Sequence, residues 1–173
     1  VSINYTPHVF VTAEIVTAAT LNAEIGTPFT GLQAAWTGFT PSLIGATTNP
    51  VVNNGSAVGR YFQDGKTFWY RLTITFGSTS TYGSGIWSIV LPFITTTPNV
   101  ANLHTSAMCH YFHNAGSVHL IGQAILLDTS ATNSLVLYTS QTAADGLVPV
   151  TPTAPWTWAT SDSLHVDGKV ESA

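Results

Sequence analysis

Four histidines, His104, His110, His113 and His119, cluster in one stretch, and His110-Tyr111-Phe112-His113 could bring two imidazoles to one strand end. A metal site usually takes three or four convergent ligands, and no carboxylate or second thiol lies nearby. No metal is therefore expected, and the imidazoles are read as hydrogen-bonded or surface groups. The competing reading is a threefold assembly that brings three copies of one axial histidine together. The eight acidic residues are Glu14, Glu24, Asp64, Asp128, Asp145, Asp162, Asp167 and Glu171. They fall on predicted turns and ends, so nothing supports the facing carboxylate pair of a glycosidase. The chain has no Gly-x-Ser-x-Gly, no phosphate loop ending in Lys-Ser/Thr and no His-Glu-x-x-His. Cys109 is the single cysteine and can form no intrachain disulfide. Its flank, Ala107-Met108-Cys109-His110-Tyr111, reads as strand, which predicts a small buried thiol rather than a nucleophile. No catalytic residue and no cofactor are expected, and the chain is read as non-enzymatic.

Binding chemistry is the stronger candidate. Trp69 falls on the polar face of its strand, and Trp156 and Trp158 follow a proline-rich stretch. Indole rings stack on sugar faces, so these three are the candidate glycan-stacking residues, against the plainer reading of packing or subunit contact. Cations are rare: only Arg60, Lys66, Arg71 and Lys169. Arg60 and Arg71 sit on neighbouring predicted strands, where they either pair with Asp64 or another carboxylate or hold an anionic ligand or a neighbouring subunit. Four scattered cations and a net charge of −4 make no basic patch, so nucleic acid is not an expected partner.

The elements that would position these groups are mostly strands. Thr67 to Phe76 alternates, with Phe68, Tyr70, Leu72, Ile74 and Phe76 on one face and Arg71, Thr73 and Thr75 with Trp69 on the other. The turn at Asp64-Gly65 predicts a hairpin with Val58 to Gln63. Further strands are predicted at Ile86–Leu91, Ala107–Phe112, His119–Leu127, Leu135–Thr139 and Leu164–Glu171. Gly59, Gly65, Gly83 and Gly85 are expected where turns need positive φ or backbones approach closely. Thr151–Pro155 is read as a surface crossing before the last strand. Together these predict an all-β fold, an antiparallel sandwich or jelly-roll-like domain over residues 40–173. Helix signals are confined to residues 1–39. Thr17 is a plausible N-cap, Leu21 and Ile25 form an apolar pair, and a second stretch from Pro28 places Phe29, Leu32 and Trp36 on one face. Such short pieces need their apolar stripes covered, here by neighbouring copies in an attachment or trimerisation segment.

Charged residues are only 7% of the 173, against roughly 25% in ordinary soluble domains, while hydrophobic residues reach 45%. The chain should fold, yet its surface is poorly charged, and burial in an oligomer or larger assembly is the natural remedy. Val1-Ser2-Ile3-Asn4-Tyr5 lacks the start of an export signal, and no run approaches the roughly 18 apolar residues of a membrane span.

Several composite motifs then carry a resemblance. They are Thr40-Pro41-Ser42-Leu43, Thr47-Thr48-Asn49-Pro50, Asn54-Gly55-Ser56-Ala57-Val58-Gly59-Arg60-Tyr61, Gln63-Asp64-Gly65-Lys66-Thr67, Gly77-Ser78-Thr79, Gly83-Ser84-Gly85-Ile86-Trp87-Ser88 and Pro155-Trp156-Thr157-Trp158-Ala159-Thr160. With the opening Phe10 to Asn22, the chain resembles the C-terminal β-domain and short N-terminal module of tail-associated, fibre-like virion proteins of phages infecting actinobacteria. The resemblance covers most of the chain and is weakest between about residues 95 and 150. It implies a β-rich domain, often trimeric, displayed on a particle alongside other virion proteins and sometimes bound to host cell-wall glycans. On that basis the expectation is a homotrimeric minor tail or fibre protein at the virion surface, made in the host cytoplasm. A capsid decoration or head-fibre protein and a free carbohydrate-binding module are the alternatives.

Overall fold

The computed structural model describes residues 8–9, 11–26, 35–65, 67–92, 104–126, 134–140 and 146–171, with the backbone alone at 104–106 and 171. The helical stretch expected from Pro28, including Phe29 and Leu32, lies outside them. The first helix, α1 (Ala18–Leu21), starts where expected: the Thr17 side chain accepts a hydrogen bond from the Thr20 amide at 3.1 Å. It widens into a π-type turn over Asn22–Gly26, and neither piece buries a residue.

Ten strands follow: β1 (Thr37–Phe39), β2 (Ser42–Gly45), β3 (Ser56–Asp64), β4 (Thr67–Thr75), β5 (Trp87–Val90), β6 (His104–His113), β7 (Val118–Leu126), β8 (Ser134–Thr139), β9 (Val148–Pro149) and β10 (Ser163–Glu171). They form one sheet in the order β1-β3-β4-β10-β6-β7-β8-β5-β2, with β9 on β8. Every pairing is antiparallel. Four strands separate β4 from β5, yet Tyr70, Leu72 and Ile74 share one core with Trp87, Ile89 and Leu43. The sheet therefore curls over on itself, and the sandwich is made by one continuous sheet rather than two.

Strand parity explains the core. Side chains alternate faces along a strand. In β4, Tyr70, Leu72 and Ile74 are buried, while Trp69 and Arg71 on the opposite face are exposed. In β10 and β6 the same alternation buries Leu164 and Val166 beside Cys109 and Tyr111. Burial pushes the Cys109 thiol up to about 12. The predicted hairpin forms, with Asp64 opposite Thr67 and Gly65 at a φ of +56°. Gly83 and Gly85 also have positive φ. Gly59 serves close approach instead: a Cβ there would come within 2.5 Å of the Phe39 ring from β1. β1 enters the sheet ahead of the expected boundary at residue 40 because Thr37–Phe39 pairs with Tyr61–Gly59 of β3.

The proline-bearing connection before β10 does more than cross the surface. Val150 and Trp158, on either side of Thr151–Pro155, are both buried. Trp158 packs on Phe76 at 5.5 Å and Trp87 at 5.1 Å between ring centroids, closing one end of the core.

Candidate ligand-binding face

The outward face of the sheet is built by the residues that alternate with the core. Cross-strand register sets them in rows. One row runs Ser56, Thr75, Ser163, Phe112 and His119; the next Val58, Thr73, His165, His110 and Ile121. The third runs Arg60, Arg71, Asp167, Met108 and Gln123, and the fourth Phe62, Trp69 and Lys169. Three chemically distinct zones result from this ordering.

The first zone is aromatic and cationic. Phe62 and Trp69 face each other across β3 and β4 with parallel rings 6.3 Å apart and an interplanar angle of 4°. Trp36, immediately before β1, meets Phe62 edge-on at 4.7 Å. Its indole is flanked by two guanidiniums, Arg60 at 4.9 Å and Arg71 at 5.8 Å from the ring. Lys169 Nζ lies 5.3 Å from the Trp69 ring. Contacts of this kind contribute about 0.5–1 kcal/mol when exposed. Trp69 remains 39% exposed and Trp36 37%, so ring surface is open to solvent. The sequence expectation of four scattered cations is corrected here, since register brings Arg60, Arg71 and Lys169 onto adjoining rows of one face.

Arg60 and Arg71 are direct cross-strand neighbours, an arrangement that like charges disfavour by about 0.2–1 kcal/mol. Asp167, opposite Arg71 on β10, offsets part of this: its Oδ2 accepts from Arg71 Nε at 2.7 Å. Of the carboxylates open to Arg71 in the sequence reading, Asp64 or another, the partner is Asp167, while Asp64 stands exposed at the hairpin end. That pair is largely solvent-exposed and contributes at most about 1 kcal/mol.

The second zone holds histidines. His110 Nε2 lies 2.9 Å from His119 Nδ1, with the rings 5.0 Å apart. His165, which sequence reasoning did not group with them, stands 5.6 Å from His110 between rings and pairs with Thr73 Oγ1 at 2.9 Å. Burial, then the neighbouring His110, lowers the His165 pKa. His113 has the opposite parity and turns inward, bonding Asp162 at 3.0 and 3.1 Å. Among the described residues, no three His, Cys, Asp or Glu side chains are arranged to hold a metal. The third zone is apolar: Met108 is 67% exposed and Ile121 60%, and with Leu147 they line a shallow cleft.

The other two candidate tryptophans sit elsewhere. Trp158 is 2% exposed, and its Nε1 donates to the Thr151 carbonyl at 3.1 Å. It fills the core and offers no ring face, because the turn after Pro155 carries it inward. Trp156 is half-buried, stacked on His113 at 5.0 Å and packed 5.4 Å from Trp158. Beneath that stack, Asp162 is fully buried and accepts from the Asn114 and Ala159 amides, each at 2.8 Å, besides His113. Of the expected subunit-contact residues, Leu21, Ile25 and Trp36 are exposed, and Val9, Val11 and Ile15 join them. Among the described residues no helix is long and apolar enough to cross a membrane.

No family model matches the chain, and no curated protein matches it in sequence. Among solved structures, the crystal structure of the Dettilon tailspike protein (gp208) is similar in fold, with a TM-score of 0.51 at 18% identity. The match covers 79% of this chain and 23% of that one, so this chain spans under a quarter of the tailspike's length. The curled antiparallel sheet is therefore an architecture this chain shares with part of a phage tailspike.

Proposed function

We propose that this chain is a phage tail-associated virion protein, a homotrimer whose β-domain faces outward and contacts host-surface glycan through the Trp69 face. The fold similarity to a tailspike over 79% of the chain carries the reading. Two further observations support it. The segment before the sheet exposes Val9, Val11, Ile15, Leu21 and Ile25, apolar surface that suits contact with neighbouring copies or another virion protein. The open rings at Trp36 and Trp69 supply the amphipathic surface on which sugars stack. In this reading the role is adhesive; its support includes Asp162, whose carboxylate is taken up by structural hydrogen bonds, and the buried Cys109 thiol.

Immunogold electron microscopy of purified particles with an antibody against this chain tests the location. Gold at the tail tip or baseplate is the expected result; gold over the head would replace it with capsid decoration. Native mass spectrometry tests the assembly. A trimer that becomes monomeric when residues 1–34 are removed, leaving β1 intact, is expected. A monomeric full-length chain would instead favour a free carbohydrate-binding module.

A further inference from the structure

We infer that the aromatic–cationic zone is a binding site for an acidic polysaccharide, one whose sugar rings carry carboxylates. The inference rests on the glycan-contact reading above and names the substrate class. Three of the chain's four cations, Arg60, Arg71 and Lys169, stand on two adjoining rows of one face in a molecule of net charge −4. Asp167 is the one carboxylate within those two rows, against three cations, while the row beyond them is acidic, with Asp64 and Glu171 in register on either side of Thr67. Folding stability does not call for this arrangement, because Arg60 and Arg71 are placed directly opposite each other. Both guanidiniums flank Trp36, and the ammonium of Lys169 flanks Trp69, so each open ring has a cation beside it.

A pyranose presents an apolar C–H face and a polar edge. Laid on Trp69 and Phe62, it would direct that edge toward Arg60, Arg71 and Lys169. An uncharged sugar offers these cations no countercharge, whereas a uronate does so through the planar donor fork of arginine. The Asp167–Arg71 contact shows that this guanidinium already accommodates a carboxylate. A single-stranded nucleic acid could stack on the same rings, but three cations on an acidic, charge-poor chain provide little of the groove that tracks a phosphate backbone.

The test is affinity electrophoresis of the full chain in gels containing hyaluronan, polygalacturonate or alginate, each beside its carboxyl-reduced form. A short oligothymidylate serves as competitor. Retention by at least one acidic polymer is expected, weakened about tenfold or more on carboxyl reduction and again in Arg60→Gln/Arg71→Gln or Trp69→Ala. Raised salt should weaken it too. Thermal melts of the variants should match the parent, since all three positions are on the surface. Equal retention by reduced polymers overturns the acidic specificity, and with gold on the tail it leaves the adhesion reading standing. Retention by no acidic polymer, or preference for the oligothymidylate, also overturns it. So does a variant that loses oligomeric mass, because the face would then be covered by a second copy of this chain.

Discussion

The molecule has two aromatic clusters, built from the same residue types and doing opposite things. At the closed end of the core, Phe76, Trp87, Tyr111 and Trp158 pack together sealed from solvent, with the half-buried Trp156 against Trp158. On the outward face, Phe62 contacts both Trp36 and Trp69, and the two indoles keep exposed surface, with a cation over each ring. The polar groups differ accordingly. The buried cluster borders a carboxylate whose every described partner is structural, whereas the outer one borders three cations and one exposed ion pair. Residue type does not separate packing from binding here. Strand parity and the polarity of the neighbours do.

The sharpest test of that contrast is a pair of truncations. Trp158→Ala should destabilise the fold by about 3–5 kcal/mol in denaturant unfolding, as removal of a large buried aromatic does. Trp69→Ala, on the exposed face, should change stability by less than about 1 kcal/mol. Comparable losses at both positions would erase the distinction between a core and a surface cluster. Next in size is Asp162→Ala, which strands two amide donors and His113 and should destabilise by about 1.5–3 kcal/mol. A smaller value would mean that the carboxylate is not what organises the turn beneath Trp156.

Cys109 gives a pH-dependent test of the sealed side. Its folded-state pKa is raised to about 12 from 9.0, so the stability it contributes is complete below pH 9 and lost as pH rises toward 12. Stability should fall over that window in the parent, and less so in Cys109→Ala after its own offset is subtracted. The thiol should also resist alkylation at pH 8 until the chain unfolds; rapid labelling of the native protein would contradict the burial. On the outer face the smallest effect belongs to His165. Its folded pKa lies below 6.5, so the unfolded chain binds a proton first as pH drops. Its contribution is present above pH 6.5 and lost below it. His165→Gln should flatten that shallow acid slope, and because the ring is largely exposed the change should be slight.

How much of this was legible in the sequence depends on the range of the interaction. The β3–β4 hairpin was readable because alternation and the Asp64-Gly65 turn are local signals, and the structure has both. Gly65, Gly83 and Gly85 were marked by backbone need, and Thr17 by its capping hydroxyl. Trp69 was placed outward by parity alone. Parity said nothing of Trp158, for which stacking and packing both stood open; it follows no alternating run, and its burial depends on how the connection folds over Phe76 and Trp87. His110 and His119 were noticed as neighbours in sequence, but His165 joins them only through the pairing of β10 with β6.

By itself, then, the sequence determined which segments become strands, which side of β4 faces the core, and that the surface is poor in charge. Those properties follow from side-chain periodicity, turn chemistry and composition, each read within a few residues. Tertiary structure alone decided that β10 returns between β4 and β6, that one sheet curls into both layers, and that Lys169 lands beside Trp69. Antiparallel pairing joins residues about a hundred positions apart, such as Trp69 and Lys169, and no local pattern encodes that register. A surface made by cross-strand rows exists only once the strands have chosen their neighbours.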